Sequence, residues 1–194
     1  MLWSAIGEKN EKVLENQVLE YQKWAKPLAK KLLEVLLKGL NVNEIDESLE
    51  PVLMGTMSIN IKYYPPCPNP SITIGSRRHC EMSYITLLFQ DETGGLYVRG
   101  TKGNHWIHVT PIKGALAVNI GDSVQIMSND QYKSIEHFVA VDLSTTRIFC
   151  HWSVSINAKR WRKTVYKHVL FSDYWDYFFH KRPSGKESLN FAKF

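Results

Sequence analysis

Residues 79–99 of the 194-residue chain read HCEMSYITLLFQDETGGLYVR. Within them Ser83–Phe89 has the aromatic, β-branched and aliphatic make-up of a strand. Asp91–Gly94 carries turn residues, and Gly95–Arg99 resumes as a second strand. This strand–turn–strand rhythm belongs to sheet, not to helix. At the head of the stretch His79 and Glu81 stand two residues apart. On a strand they project from one face, while Cys80 turns to the other.

The rhythm continues on both sides. Ser58–Tyr64 precedes the stretch, and Trp106–Thr110, Ala115–Ile120, Ser123–Met127, Ser134–Val141 and Arg147–Val154 follow it as expected strands. Pro65–Pro70, Thr101–Asn104, Gly121-Asp122 and Ser128–Asp130 supply the turns between them. Many short strands without interleaved helices predict a sandwich or jelly roll over residues 57–194. Residues 1–56 read as an N-terminal helical segment. Leu14, Val18, Tyr21, Ala25, Leu28, Leu32 and Leu36 recur at three- and four-residue steps between Glu11 and Leu40. Pro27 predicts a kink in that helix, and Gly39 with Leu40 predicts its C-terminal cap. A polar, acidic connection leads to Gly55. Tyr174–Lys181 predicts a last short helix, and the polar tail beyond Pro183 is expected to fray. The fold class is therefore mainly β, α+β overall.

Composition narrows the function. Hydrophobic residues make up 44% of the chain and charged residues 22%, a globular balance that excludes disorder. There is no run of about 18 apolar residues, and the first residues lack the basic and apolar regions of a secretory signal, so neither a membrane partner nor export is expected. Cys67, Cys80 and Cys150 are odd in number and form no C-x-x-C pair. They point away from a disulfide framework or a structural zinc site and toward a reducing, cytoplasmic compartment. The net charge of +5 is spread through both signs, and a nucleic-acid partner is not expected. Arg160, Arg162 and Lys163 around Trp161 form the one local basic knot and read as a solvated loop. His105 and His108 read as surface residues. Gly94-Gly95 lacks the ending of a phosphate loop, and no nucleophile elbow is present.

The remaining constellation is His79, Glu81 and the distant His137. Two imidazoles and one carboxylate from separate strands form the facial ligand set that suits Fe(II) and leaves coordination positions open. The flanking motifs place the chain more closely. They run from Lys62-Tyr63-Tyr64-Pro65-Pro66-Cys67-Pro68-Asn69-Pro70 through Gly94-Gly95-Leu96 and Val118-Asn119-Ile120-Gly121-Asp122 to Tyr132-Lys133-Ser134-Ile135-Glu136-His137 and Arg147-Ile148. With them the chain resembles the C-terminal catalytic part of the plant Fe(II)/2-oxoglutarate-dependent dioxygenases, and within these the feruloyl-CoA 6'-hydroxylase-like, coumarin-forming group. The segments Leu32–Val42 and Val165–Tyr174 fit the same group.

The resemblance implies a double-stranded β-helix, a jelly roll with iron at its mouth. It implies metal ligation by His79, Glu81 and His137, and 2-oxoglutarate held by Arg147 with help from Tyr64. Dioxygen would be the second co-substrate and ascorbate the reductant. The implied reaction hydroxylates a small phenylpropanoid-type substrate with release of succinate and carbon dioxide. A guanidinium fork suits the far carboxylate of the co-substrate because it pairs bidentately.

Three site positions depart from the family pattern. Glu81 stands for Asp, and its extra methylene predicts retuned iron binding, since misplacement by about 1 Å can cost about 10²-fold in rate. Lys62 stands for Asn. Phe149 stands for Ser, removing a hydrogen bond to a charged group that contributes roughly 1.5–3 kcal/mol. The stretch 149–163 does not follow the family, and the family's N-terminal covering region has no counterpart here. The rival expectation is an impaired jelly-roll remnant that acts as a binding protein or not at all.

Overall fold

In the computed structural model, which describes residues 8–42, 50–102, 104–155, 165–167, 171–181 and 185–194, helix α1 spans Glu8–Lys38. It continues unbroken through Pro27, which lies on its exposed side. The deepest residues are Ala25, Ala29, Leu33 and Leu37, one position along from the expected line of leucines. Leu28, Leu32 and Leu36, on the adjoining line, are half-buried. The cap also differs from expectation. Asn41, with φ of 62°, takes the left-handed position in place of Gly39. The Val42 amide donates to the Leu37 carbonyl at 3.0 Å and the Asn41 amide to that of Lys38 at 3.1 Å, the paired bonds of a Schellman ending.

Residues 1–44 and 45–194 form two compact units. The second opens with a single helical turn, α2 (Glu50–Leu53), followed by eight strands: β1 (Thr56–Tyr64), β2 (Ile74–His79), β3 (Ile85–Gln90), β4 (Leu96–Arg99), β5 (Trp106–Val109), β6 (Ala117–Ile120), β7 (His137–Ala140) and β8 (Arg147–Ser155). They form two four-stranded sheets, β1-β8-β3-β6 and β2-β7-β4-β5, with every pairing antiparallel. This is the expected jelly roll. Only β4 and β5 are neighbours both in the chain and in a sheet, so each sheet is assembled largely from distant parts of the chain.

Three elements differ from the sequence reading. Asp122–Met127 is a helix, α3, where a strand was expected. Asp122 through Ile126 are all buried, so no amphipathic period marks the helix. Strand β7 begins only at His137, because the Ser134 amide is turned to the Gln125 side chain at 2.9 Å instead of a neighbouring strand. Strand β2, expected without bounds as the strand carrying His79 and Glu81, ends at His79 and leaves Glu81 outside; it is short, largely polar and interrupted by two register shifts against β7, which erase a two-residue period.

Helix α4 covers Phe171–Lys181. The C-terminal tail is ordered as a 3-10 helix over Lys186–Phe191, with Leu189 and Ala192 buried. Burial of these apolar side chains overrides the polar composition that predicted fraying. The basic knot at 160–163 and most of the divergent stretch lie outside the described residues.

Candidate metal centre

His79 closes β2 and His137 opens β7, directly opposite each other in register. Their ring centroids are 4.3 Å apart. Glu81 belongs to the loop after β2 and not to a strand, so the expected alternation of faces does not place it. The loop does. Its carbonyl accepts the Asp122 amide at 2.6 Å, and a side chain at Gly121 would stand 1.8 Å from the Ser83 carbonyl oxygen. Only glycine lets the start of α3 press against the loop this closely.

The result brings the three predicted residues together. Their ligand atoms lie within 4.8 Å of one another, and His137 Nε2 is 3.2 Å from Glu81 Oε1. Nδ1 of His79 meets the Arg77 carbonyl at 2.7 Å, and Nδ1 of His137 meets that of Ile135 at 3.1 Å. A carbonyl only accepts, so both Nδ1 atoms carry hydrogen and Nε2 is the nitrogen left to bind a metal. Cys80, between the ligand candidates, is buried, and burial together with nearby Asp122 pushes its thiol up to about 12. It takes no part in the cluster.

Electrostatics match this arrangement. Burial and the neighbouring His137 lower His79 to about 4, so it is neutral at physiological pH. Burial opposes charge on His137, yet the hydrogen bond and charge of Glu81 hold its pKa above the ordinary value. Burial likewise pushes Glu81 up, but the contacts from His137 and His79 outweigh it and bring the carboxyl to about 2. An ionised carboxylate and two nitrogen donors thus face one point. The donor set fits a divalent metal of the Fe(II) type.

Arg147 and Tyr64 pair across β8 and β1. Arg147 is buried; it donates from Nη1 to the Ala140 carbonyl, and Nη2 lies 3.5 Å from Asp142 Oδ2. Tyr64 is buried in an apolar cluster with Leu88, Leu96, Val139 and Phe149. The cavity at the three ligand candidates is lined by Lys62, Tyr64, Ser76, Phe149 and His151 among others, and encloses about 20 Å³. That is room for about one water molecule. A metal fits; a five-carbon dicarboxylate reaching toward Arg147 would have to displace the Phe149 ring.

His151, outside the ligand set read from the sequence, lines this cavity, and its Nε2 is buried without a hydrogen-bond partner among the described residues. The two-residue period of β8, which puts Arg147, Phe149 and His151 on one face, was the signal that could have found it. His105 and His108 are exposed, as expected.

Residues 55–153 match the family model of the 2OG-Fe(II) oxygenase superfamily. The chain belongs to that superfamily. It is 48% identical to a bi-functional coumaroyl CoA and feruloyl CoA ortho-hydroxylase of Ipomoea batatas, over 92% of its own length and 53% of the relative's. It is 45% identical to feruloyl CoA ortho-hydroxylase 2 of Arabidopsis thaliana, over 91% of its length and 52% of the relative's. It therefore spans about half the length of these curated relatives. Among solved structures it resembles JOX2 in complex with 2OG, Fe and JA, with a TM-score of 0.83, 26% identity, and coverage of 96% of this chain and 57% of the other. Among the described residues no helix of this chain is long and apolar enough to cross a membrane.

Proposed function

We propose that this chain is an Fe(II)- and 2-oxoglutarate-dependent oxygenase that hydroxylates a small phenylpropanoid-type aromatic substrate, a coumaroyl or feruloyl thioester being the first to try. His79, Glu81 and His137 hold the iron; Arg147 and Tyr64 are the co-substrate residues. Bound Fe(II) with its oxo-acid supplies the oxidising power for oxygen insertion. The protein's own contribution is to fix the two imidazole tautomers through the Arg77 and Ile135 carbonyls and to keep Glu81 ionised. The single observation carrying this reading is the convergence of the three donors within 4.8 Å. The relatives' names support the substrate class. Three free cysteines support a reducing, cytoplasmic setting.

The test is anaerobic addition of Fe(II) and 2-oxoglutarate, followed by oxygen. The expected outcome is a weak charge-transfer absorption band, then succinate release that depends on the aromatic substrate. Metal binding without succinate, for every aromatic acyl thioester tried, would leave the impaired jelly-roll remnant. The burial of Phe149 in the cavity favours that second reading.

A further inference from the structure

Residues 185–188, at the head of the C-terminal tail, reach the supports of all three candidate ligands. Gly185 forms a parallel β-bridge with His79, and its amide donates to the Arg78 carbonyl at 3.3 Å. Its φ of 52° favours glycine. So does its packing, since a side chain there would stand 2.2 Å from Oε1 of Glu136. Glu136 immediately precedes His137 and is itself held by Arg99 at 2.7 Å.

Ser188 and Lys186 reach Glu81 through Asp122. The buried Ser188 hydroxyl donates to Asp122 Oδ2 at 2.7 Å, and the Asp122 amide donates to the Glu81 carbonyl at 2.6 Å. Asp122 is fully buried, and its Oδ1 has no hydrogen-bond partner among the described residues. Nζ of Lys186 stands 3.6 Å from that oxygen. The same ammonium donates at 2.8 Å to Oε1 of Gln125, which also accepts the amide of Ser134, on the approach to His137. A carboxylate taken out of water needs a countercharge. Lys186 supplies it, and so steadies the residue that grips the Glu81 loop.

We infer that Lys186 is a positioning residue of the metal centre, and that docking of the C-terminal tail and binding of the metal are coupled. The three candidate ligands come from separate parts of the chain, and the tail braces the backbone or the neighbour of each. With the tail docked, the donors are held at their convergent spacing. With it released, the end of β2 and the Glu81 loop lose that brace. Coupling is reciprocal, so a metal that draws the donors together strengthens the hold on the tail by the same factor. This inference rests on the proposed metal site.

The experiment measures metal binding first, by titrating Mn(II) into the full chain with electron paramagnetic resonance. Amide hydrogen exchange of the unmodified chain is then followed by mass spectrometry with and without Mn(II). Exchange at 185–193 should slow at least about fivefold on metal binding, the low end of coupling between distinct sites. The edge strand β5, which pairs only with β4, should not change. Lys186→Met should lower Mn(II) affinity at least about fivefold by the same reciprocity and shrink the slowing at the tail. Lys186→Arg, which keeps the charge, should retain both, and Gly185→Ala should weaken both through His79 and Glu136. Mn(II) binding that leaves exchange at the tail unchanged, or slows β5 equally, overturns the inference. So does undiminished Mn(II) affinity in Lys186→Met, or an equal loss in Lys186→Arg. Absence of Mn(II) binding by the unmodified chain overturns the metal site itself, and the inference with it.

Discussion

Burial keeps His79 neutral while Glu81 favours the protonated form of His137, and this makes metal affinity a function of pH. His137, with its pKa raised by Glu81, keeps a proton that an incoming metal must displace, so Mn(II) affinity should climb as pH rises through that value. A flat profile between pH 6 and 8 would contradict it. Glu81→Ala should lower Mn(II) affinity at least about tenfold, the lower end of what loss of a partner around a metal costs, whereas Glu81→Asp should retain binding. His79 makes the metal-free protein acid-sensitive. Its folded pKa of about 4 lies below the ordinary 6.5, so the unfolded chain binds the proton first, and stability is lost as pH falls from 6.5 to 4. Thermal melts across that range should show the slope, and His79→Gln should flatten it. These residues were legible in the sequence because ligand chemistry is restrictive. His151 was not, since a third histidine is redundant until β8 is known to turn it inward beside Phe149.

At the level of elements, the centre depends on α3 gripping the Glu81 loop. Gly121→Ala places a methyl against the Ser83 carbonyl, and the loop must shift. Weakened Mn(II) binding is expected, with secondary structure largely preserved by circular dichroism. Full metal affinity in this variant would show that the loop has slack. Buried Asp122 joins three elements, accepting the Tyr174 hydroxyl and the Ser188 hydroxyl, each at 2.7 Å. Asp122→Ala should destabilise the fold by about 1.5–3 kcal/mol for each lost hydrogen bond to charge, read as a lower urea midpoint. The sequence disclosed strands where aromatic, β-branched and aliphatic residues run together between turns, as in Ser83–Phe89. It concealed α3, buried on every side, and β2, whose bulges break the period. It also concealed the C-terminal 3-10 helix, which owes its order to tertiary burial of Leu189.

Across the whole molecule, the two sheets are stitched from strands far apart in sequence, and the candidate ligands His79 and His137 come from two such strands, β2 and β7. A metal that binds only the folded chain stabilises it by mass action, about 2.7 kcal/mol at one hundred times its dissociation constant. The melting temperature should therefore rise with Mn(II) and return to its starting value with a chelator. A melt indifferent to both would argue that the donors never close on an ion.

Cys80 sits between two side chains that would hold a redox-active ion, the place where sulfur is most open to oxidative self-damage. Attack proceeds through the thiolate, and with its thiol pushed up to about 12 almost none is present at neutral pH. Buried chemistry of this kind lets an iron protein keep an unprotected sulfur beside its own oxidant without consuming it.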